Sequence, residues 1–302
     1  MCTRTRGIDE LASETLTMLT VLVLLSGPHR YGMLETALDS IPLESSAVST
    51  VLIRHQNGPW NWGGELRERY AAHPKVRIVE FPDRVDFAAS FNRTLDLVET
   101  PWALILPDDD YLLRASAASA FEAVAEDPAN ERYGFAAFGW YYLKEGRYLA
   151  SHVKQRDLRA MVHYAPKFCT TMVNMRLCRE VGGFDGTVGG FCDSVLFGHL
   201  AFEYDALLSK TPIGVYRLHE GQESVQAQAV YRPYADALRA QIGRYARSAR
   251  ERDAFERRLA EFEQPRTSTA HELIQQLSFL IRSQAQPVNA RSHIGLRRWS
   301  TG

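Results

Sequence analysis

The chain has 302 residues, of which 45% are hydrophobic and 24% charged, with 35 Lys and Arg against 36 Asp and Glu. That length fits one large domain with a tail or two domains, and a net charge of -1 excludes a general attraction to nucleic acid or to an anionic membrane. No apolar run approaches the length of a transmembrane helix; Leu16 to Leu25 is too short and lacks a small-residue cleavage site, so no signal peptide is expected. The four cysteines, Cys2, Cys169, Cys178 and Cys192, form no C-x-x-C pair, which argues against structural zinc and fits a reducing, cytoplasmic setting.

The first residues are polar, and 1–18 is taken as a lead-in. Leu19 to Leu25, LTVLVLL, is short, apolar and β-branched, a candidate core strand of a parallel sheet. Ser26-Gly27-Pro28-His29-Arg30 ends it. Leu34, Ala37, Leu38 and Ile41 then recur at helical spacing. Val48 to Ile53 reads as a second strand, closing in Arg54-His55-Gln56-Asn57-Gly58-Pro59. Leu66 to Ala72 reads as a helix and Val76 to Phe81 as a third strand. Phe87 to Val98 is a helix with Phe87, Phe91, Leu95 and Val98 on one side, and Trp102 to Leu106 is a fourth strand, stopped by Pro107. This alternation predicts a doubly wound parallel sheet with ligands at the carboxyl ends of its strands. The loops after those strands would converge on one crevice. Neither G-x-G-x-x-G nor G-x-x-x-x-G-K-[ST] is present, which disfavours a dinucleotide or P-loop site.

Asp108, Asp109 and Asp110 follow Pro107. Three carboxylates at the end of a buried strand repel one another and lose hydration, which is costly without a cation or a set of donors. A divalent metal bridging a diphosphate would satisfy them, because hard cations take carboxylate and phosphate oxygens together; a solvated acidic turn is the alternative. A helix is expected from Leu112 to Ala125, then a hairpin of Phe135 to Tyr142 and Gly146 to Val153 around Lys144-Glu145-Gly146, then a strand from Phe168 to Asn174. Val181 to Phe191 is rich in glycine, which permits unusual backbone angles and close approach. Asp193 opens a helix to Glu203, either as its cap or as a group that does chemistry. Ile213 to Leu218 is the last strand and ends in His219-Glu220-Gly221. Beyond Tyr231, Leu238, Ile242, Tyr245, Ala249, Phe255, Leu259 and Phe262 make a helical stripe up to Pro265, and Leu273 to Ile281 a second helix. That stripe would pack back on the domain or form a homodimer; acids interleave its arginines, against membrane contact. Arg291 to Gly302 is basic and expected to be loose.

Four stretches in order, LTVLVLLSGPHR, FAASFNRTLDLVETPWALILPDDDYLL, LCREVGGFDGTVGGFCDSVLFGHL and YRLHEGQES, resemble family 2 glycosyltransferases of the GT-A fold over roughly Leu19 to Ser224. The resemblance implies an α/β fold with a Rossmann-like mixed central sheet flanked by helices and a C-terminal helical extension. The GT-A domain would span 19–228, with a nucleotide-binding half at 19–113 and an acceptor half at 114–228, and the extension 229–302. The implied activity is inverting, metal-dependent (Mn²⁺ or Mg²⁺) transfer of a sugar from a nucleotide-diphosphate sugar to an acceptor hydroxyl. Asp108, Asp109 and Asp110 would carry the metal. Read as D-x-D the pair is Asp108 and Asp110; set against D-x-D-D, with Pro107 in place of the first acid, the ligand is Asp109. His219 is similar to the family's late histidine and would complete metal or diphosphate binding, a surface histidine being the alternative.

Asp193 stands where the family has its general base. Cys192 and Val195 replace acids common beside it, which leaves a retaining or degenerate enzyme open. Ser26, Gly27 and Arg30 would line the donor site, and Asn92 and Arg93 would reach the diphosphate or the base. Family members often bind the nucleobase through an Asp after the second strand; here Asn57 or Gln56 stands in, so the nucleotide stays open. Asp185 is expected to hold a tight loop. Trp60, Trp62, Trp140, Tyr141 and Tyr142 suit core packing better than an acceptor platform. The acceptor is open among a small molecule, a lipid-linked glycan and other hydroxyls. One rival is a nucleotidyltransferase on a similar sheet, which would need a glycine-rich basic loop where only Gly27 and Arg30 stand. The other is a non-catalytic nucleotide-sugar-binding or assembly protein built on the C-terminal helices.

Overall fold

Ten strands pair into one sheet in the computed structural model, which describes residues 18–25, 31–56, 64–83, 85–153 and 166–219 and short stretches between 235 and 299. The first four strands, β1 (Leu19–Leu25), β2 (Val48–Gln56), β3 (Val76–Phe81) and β4 (Trp102–Pro107), are those expected. They lie in the order β3-β2-β1-β4 and every pairing among them is parallel. α1 (Tyr31–Asp39), α2 (Gly64–Ala71) and α3 (Phe87–Leu95) connect them. β1 is buried along its whole length, with Leu22 and Leu24 in the apolar cluster on one face and Val21 and Val23 in the cluster on the other. A strand covered on both faces reads as an unbroken apolar run, which is why it is visible in the sequence.

The second half adds β5 (Tyr111–Leu112), α4 (Arg114–Ala125), β6 (Tyr133–Lys144), β7 (Arg147–Ser151), β8 (Thr171–Asn174), α5 (Met175–Glu180), α6 (Cys192–Glu203), β9 (Asp205–Arg217) and β10 (Arg297–Trp299). The sheet continues β4-β8-β6-β9-β10, with β5 also on β9 and β7 on β6. β8 is antiparallel to both β4 and β6, whereas β6 and β9 are parallel. Six strands, β1, β2, β3, β4, β6 and β9, therefore run the same way, and their carboxyl ends share one edge. β8 runs against them and begins at that edge. Phe91 and Leu95 of α3, Leu177 of α5, and Phe197 and Leu200 of α6 pack on one face; Leu34 and Leu38 of α1 and Phe121 and Val124 of α4 pack on the other. Trp140 and Tyr141 are buried in β6, in keeping with a packing role, and Trp60 and Trp62 lie outside the described residues.

Several elements differ from expectation. The helix expected from Leu112 begins at Arg114, because Tyr111 and Leu112 pair with Val215 and Gly214 of β9. Gly214 allows this approach: a Cβ there would stand 2.8 Å from Thr170 Cγ2 and 3.2 Å from Tyr111 O. β9 starts at Asp205, well before the expected Ile213, and α5 follows β8 directly, capped by Asn174, whose Oδ1 accepts from Leu177 N at 3.2 Å. The tail expected to be loose returns to the sheet, since Arg297–Trp299 pairs antiparallel with β9 and Arg298 reaches Asp127 at 3.1 Å. Leu238, Ile242, Tyr245, Phe255, Leu259, Phe262 and 273–281 lie outside the described residues. Among those described, no helix is long and apolar enough to cross a membrane, and Cys169, Cys178 and Cys192 are free thiols.

Candidate active site at the carboxyl edge of the sheet

β4 ends in a turn closed by Asp110 N, which donates to Pro107 O at 3.1 Å. Asp108, Asp109 and Asp110 are 1%, 8% and 1% exposed, so the chain does not build a solvated acidic turn. Their partners differ. Asp110 Oδ1 accepts from Arg217 N at 3.0 Å and the Cys169 thiol donates to the same carboxyl. Burial and the charge of Asp109 push Asp110 well above the usual carboxylate range, against the pull of those donors and of Lys167. Asp110 thus ties the acidic turn to the end of β9. Asp109 Oδ2 accepts from His219 Nε2 at 3.0 Å, so the late histidine faces the acidic turn. Arg217, between them in the chain, lies over the Tyr111 ring at 4.8 Å.

Among the described residues, no three His, Cys, Asp or Glu side chains form a ready-made cation cage. The donor set of Asp109 with His219, and Asp108 beside them, fits a different arrangement. Hard cations such as Mg²⁺ are commonly held by one or two carboxylates together with substrate phosphates.

On the donor side, Ser26, Gly27, Arg30 and Asn57 lie outside the described residues. Arg54 and His55, read earlier as loop, are the buried end of β2. The Arg54 guanidinium donates to Ser90 Oγ and sits over the Phe81 ring at 5.2 Å; burial and the nearby Arg93 lower it to about 10. Arg93 itself is exposed on α3. Burial also pulls His55 down, which favours a neutral imidazole.

Asn92 was expected near the diphosphate or the base, but it serves the glycine-rich loop. Its Nδ2 donates to Phe184 O and its Oδ1 accepts from Phe184 N, both at 2.9 Å. Gly183 has φ +72, and a Cβ there would meet Asn92 Oδ1 at 2.7 Å, so the clamp needs glycine. Asp185 Oδ1 accepts from Thr187 N at 2.8 Å and Thr187 Oγ1 at 2.7 Å, the loop-holding role expected of it. The Phe184 ring packs on Phe91 at 5.0 Å and on Phe168 at 5.7 Å.

This loop delivers the chain to α6. Asp193 lies within the first turn of that helix, where the helix dipole favours a carboxylate. Its Oδ1 accepts from Ser194 N at 2.6 Å and Ser194 Oγ at 3.2 Å. Burial raises its pKa, while Lys167 and the Ser194 bonds oppose the rise. A single lysine before a strand carries no signal in the sequence, and only the fold makes Lys167 stand out. It precedes β8, and β8 begins at the edge where the acidic turn lies. Burial works against its charge, but Tyr142, Tyr216, Asp193 and Cys169 hold it above the ordinary amine range.

The architecture is a GT-A fold, a Rossmann-like mixed sheet flanked by helices. The solved structures it resembles include S. aureus TarS, residues 1–349, in complex with UDP-GlcNAc: TM-score 0.60 and 16% identity over 81% of this chain and 71% of that one. The same TarS segment in complex with UDP gives a TM-score of 0.59 and 13% identity over 87% and 79%. No protein-family model matches the sequence, and no curated protein matches it.

Proposed function

We propose that the chain is an inverting glycosyltransferase that moves a sugar from a nucleotide-diphosphate donor to an acceptor hydroxyl. The observation that carries this reading is the buried acidic turn, with Asp109 against His219 at the carboxyl edge of a GT-A sheet. Asp109 and His219, with Asp108, would hold a divalent cation shared with the donor diphosphate. When bound, such an ion supplies Lewis-acid stabilisation of the departing diphosphate. Asp110 keeps the turn in register with β9. Asp193 accepts the proton of the attacking hydroxyl as the new bond forms. UDP and UDP-GlcNAc, the ligands named for TarS, are the first donors to try on this chain.

In this reading 19–113 binds the nucleotide, 114–228 shapes the acceptor side in a cytoplasmic enzyme, and the apolar stripe of 229–302 joins two copies. Thermal unfolding of the purified protein with UDP, GDP, ADP and CDP, each with and without Mn²⁺, tests it. A ligand that binds only the folded state raises the melting temperature, and UDP with Mn²⁺ is expected to do so. If no nucleoside diphosphate shifts the transition under either condition, the reading fails.

A further inference from the structure

Tyr148 of β7 joins three contacts that lie far apart in the chain. In the β6–β7 hairpin it stands opposite Leu143, and Leu143 O accepts from Leu218 N at 2.8 Å, one residue before His219. Its hydroxyl lies 3.0 Å from Tyr111 Oη. Tyr111 follows the acidic turn directly, pairs with Val215 of β9 and carries the Arg217 guanidinium on its ring at 4.8 Å. On its third side, Tyr148 N donates to Gln284 O and Gln284 N to Tyr148 O, both at 2.8 Å. Arg147 grips the same segment, with Nε donating to Ser283 Oγ at 2.6 Å and Nη2 to Ser283 O at 3.3 Å.

These contacts bear on the acidic turn from two directions. One route runs through the Tyr148 hydroxyl and Tyr111 to Arg217, whose backbone N–H donates to Asp110 Oδ1 at 3.0 Å. The other runs through Leu143 and Leu218 to His219, whose Nε2 lies 3.0 Å from Asp109 Oδ2. Both begin at one residue of β7. That strand pairs with β6 on one side, and on the other its described partner is the Ser283–Gln284 segment. The bridge at Gln284 is isolated and belongs to no strand. A contact of two backbone hydrogen bonds between half-buried residues opens locally without unfolding the sheet. Ser283–Gln284 is thus a strap with a closed and an open state, and Tyr148 is better fixed in the closed one.

We propose that Tyr148 is a positioning residue for the donor site: the Ser283–Gln284 strap fixes it, and it in turn holds Arg217 and His219 against the acidic turn in the arrangement that binds the donor diphosphate. The proposal rests on the reading of the acidic turn as the donor site. By linkage, a strap that favours donor binding must itself be favoured by the donor, and by the same factor. The test uses the full chain with Mn²⁺ and whichever of UDP, GDP, ADP and CDP raises its melting temperature. Hydrogen exchange at the amides of Tyr148 and Gln284 is expected to slow by about fivefold when that nucleotide saturates the protein, the factor that one net hydrogen bond typically supplies. Tyr148→Phe removes the hydroxyl, and Gln284→Pro removes the N–H given to Tyr148 O. Each should weaken the nucleotide's Kd, read by titration calorimetry, by about fivefold. Together they should weaken it by less than the product of the two, because the strap acts through Tyr148. A role in stability alone would lower the melting temperature of the free protein and leave both Kd and the exchange response unmoved, and that result overturns the proposal. Should Gln284→Pro fail to fold, the exchange measurement on the wild-type chain decides by itself. If no nucleoside diphosphate shifts the melting temperature, the donor-site reading fails first and this proposal falls with it.

Discussion

Asp109, Asp110 and Asp193 are carboxylates with different partners, among them an imidazole for Asp109, a backbone N–H and a thiol for Asp110, and the next serine along for Asp193. Those partners separate their roles. Asp193→Asn should keep the UDP-induced thermal shift and lower turnover by about 100-fold or more, the range seen when a general base is removed. The pH dependence has a definite sign. Burial holds Asp193 above its usual value of 3.8, so the folded chain keeps this proton to higher pH than the unfolded chain does. Its contribution to stability is full below 3.8 and is lost as pH rises through the folded pKa. With Asp193 as the proposed base, turnover should run the other way and rise through the same window, because a base acts as its carboxylate. Urea unfolding across that range should show a steeper loss of stability with pH in wild type than in Asp193→Asn. Equal slopes would mean that Asp193 titrates as a free carboxyl.

At the scale of elements, the loop between α5 and α6 is held by one side chain on another element. Asn92 reaches across from α3 to both backbone groups of Phe184, and Gly183 stands close enough to Asn92 to exclude any side chain. Asn92→Ala should cost about 1–3 kcal/mol, the penalty for leaving buried polar groups unpaired. Gly183→Ala should cost on the order of 1–3 kcal/mol, since a non-glycine residue is strained at φ +72. Both can be read by chemical denaturation. Both should also lower turnover more than the UDP shift, because this loop sets the start of α6 and hence Asp193. Loss of UDP binding with turnover per bound donor unchanged would instead put Asn92 on the diphosphate, as the sequence first suggested. None of this is visible locally: Asn92 and Phe184 are joined only by the fold.

Across the whole molecule, the late segment Arg297–Trp299 is part of the sheet. β10 covers the outer side of β9, and the backbone of Gln284 exchanges hydrogen bonds with Tyr148 of β7 at 2.8 Å each way. Tyr148 Oη in turn lies 3.0 Å from Tyr111 Oη, one residue beyond the acidic turn. Removing 229–302 would bare the edge of β9, and bare edges recruit other chains. The truncated protein should melt at a lower temperature and sediment as aggregates. A monomer with the wild-type melting temperature would show that the tail contributes nothing to the sheet.

The sequence by itself determined the four parallel strands, because strands buried on both faces must be written in apolar residues, and it determined the acid triplet at the end of the fourth. It also carried Asp193 and His219, as residues that resemble a family pattern. Only the tertiary structure decided how those acids differ. Asp110 turns to β9, Asp109 meets His219, Asn92 holds a loop, and Lys167 comes in beside β8. Each of these pairings joins residues far apart in the chain, or in the case of Lys167 depends on which way one strand runs. Local composition and periodicity report which side chains must be buried; they cannot report which buried polar groups will satisfy one another.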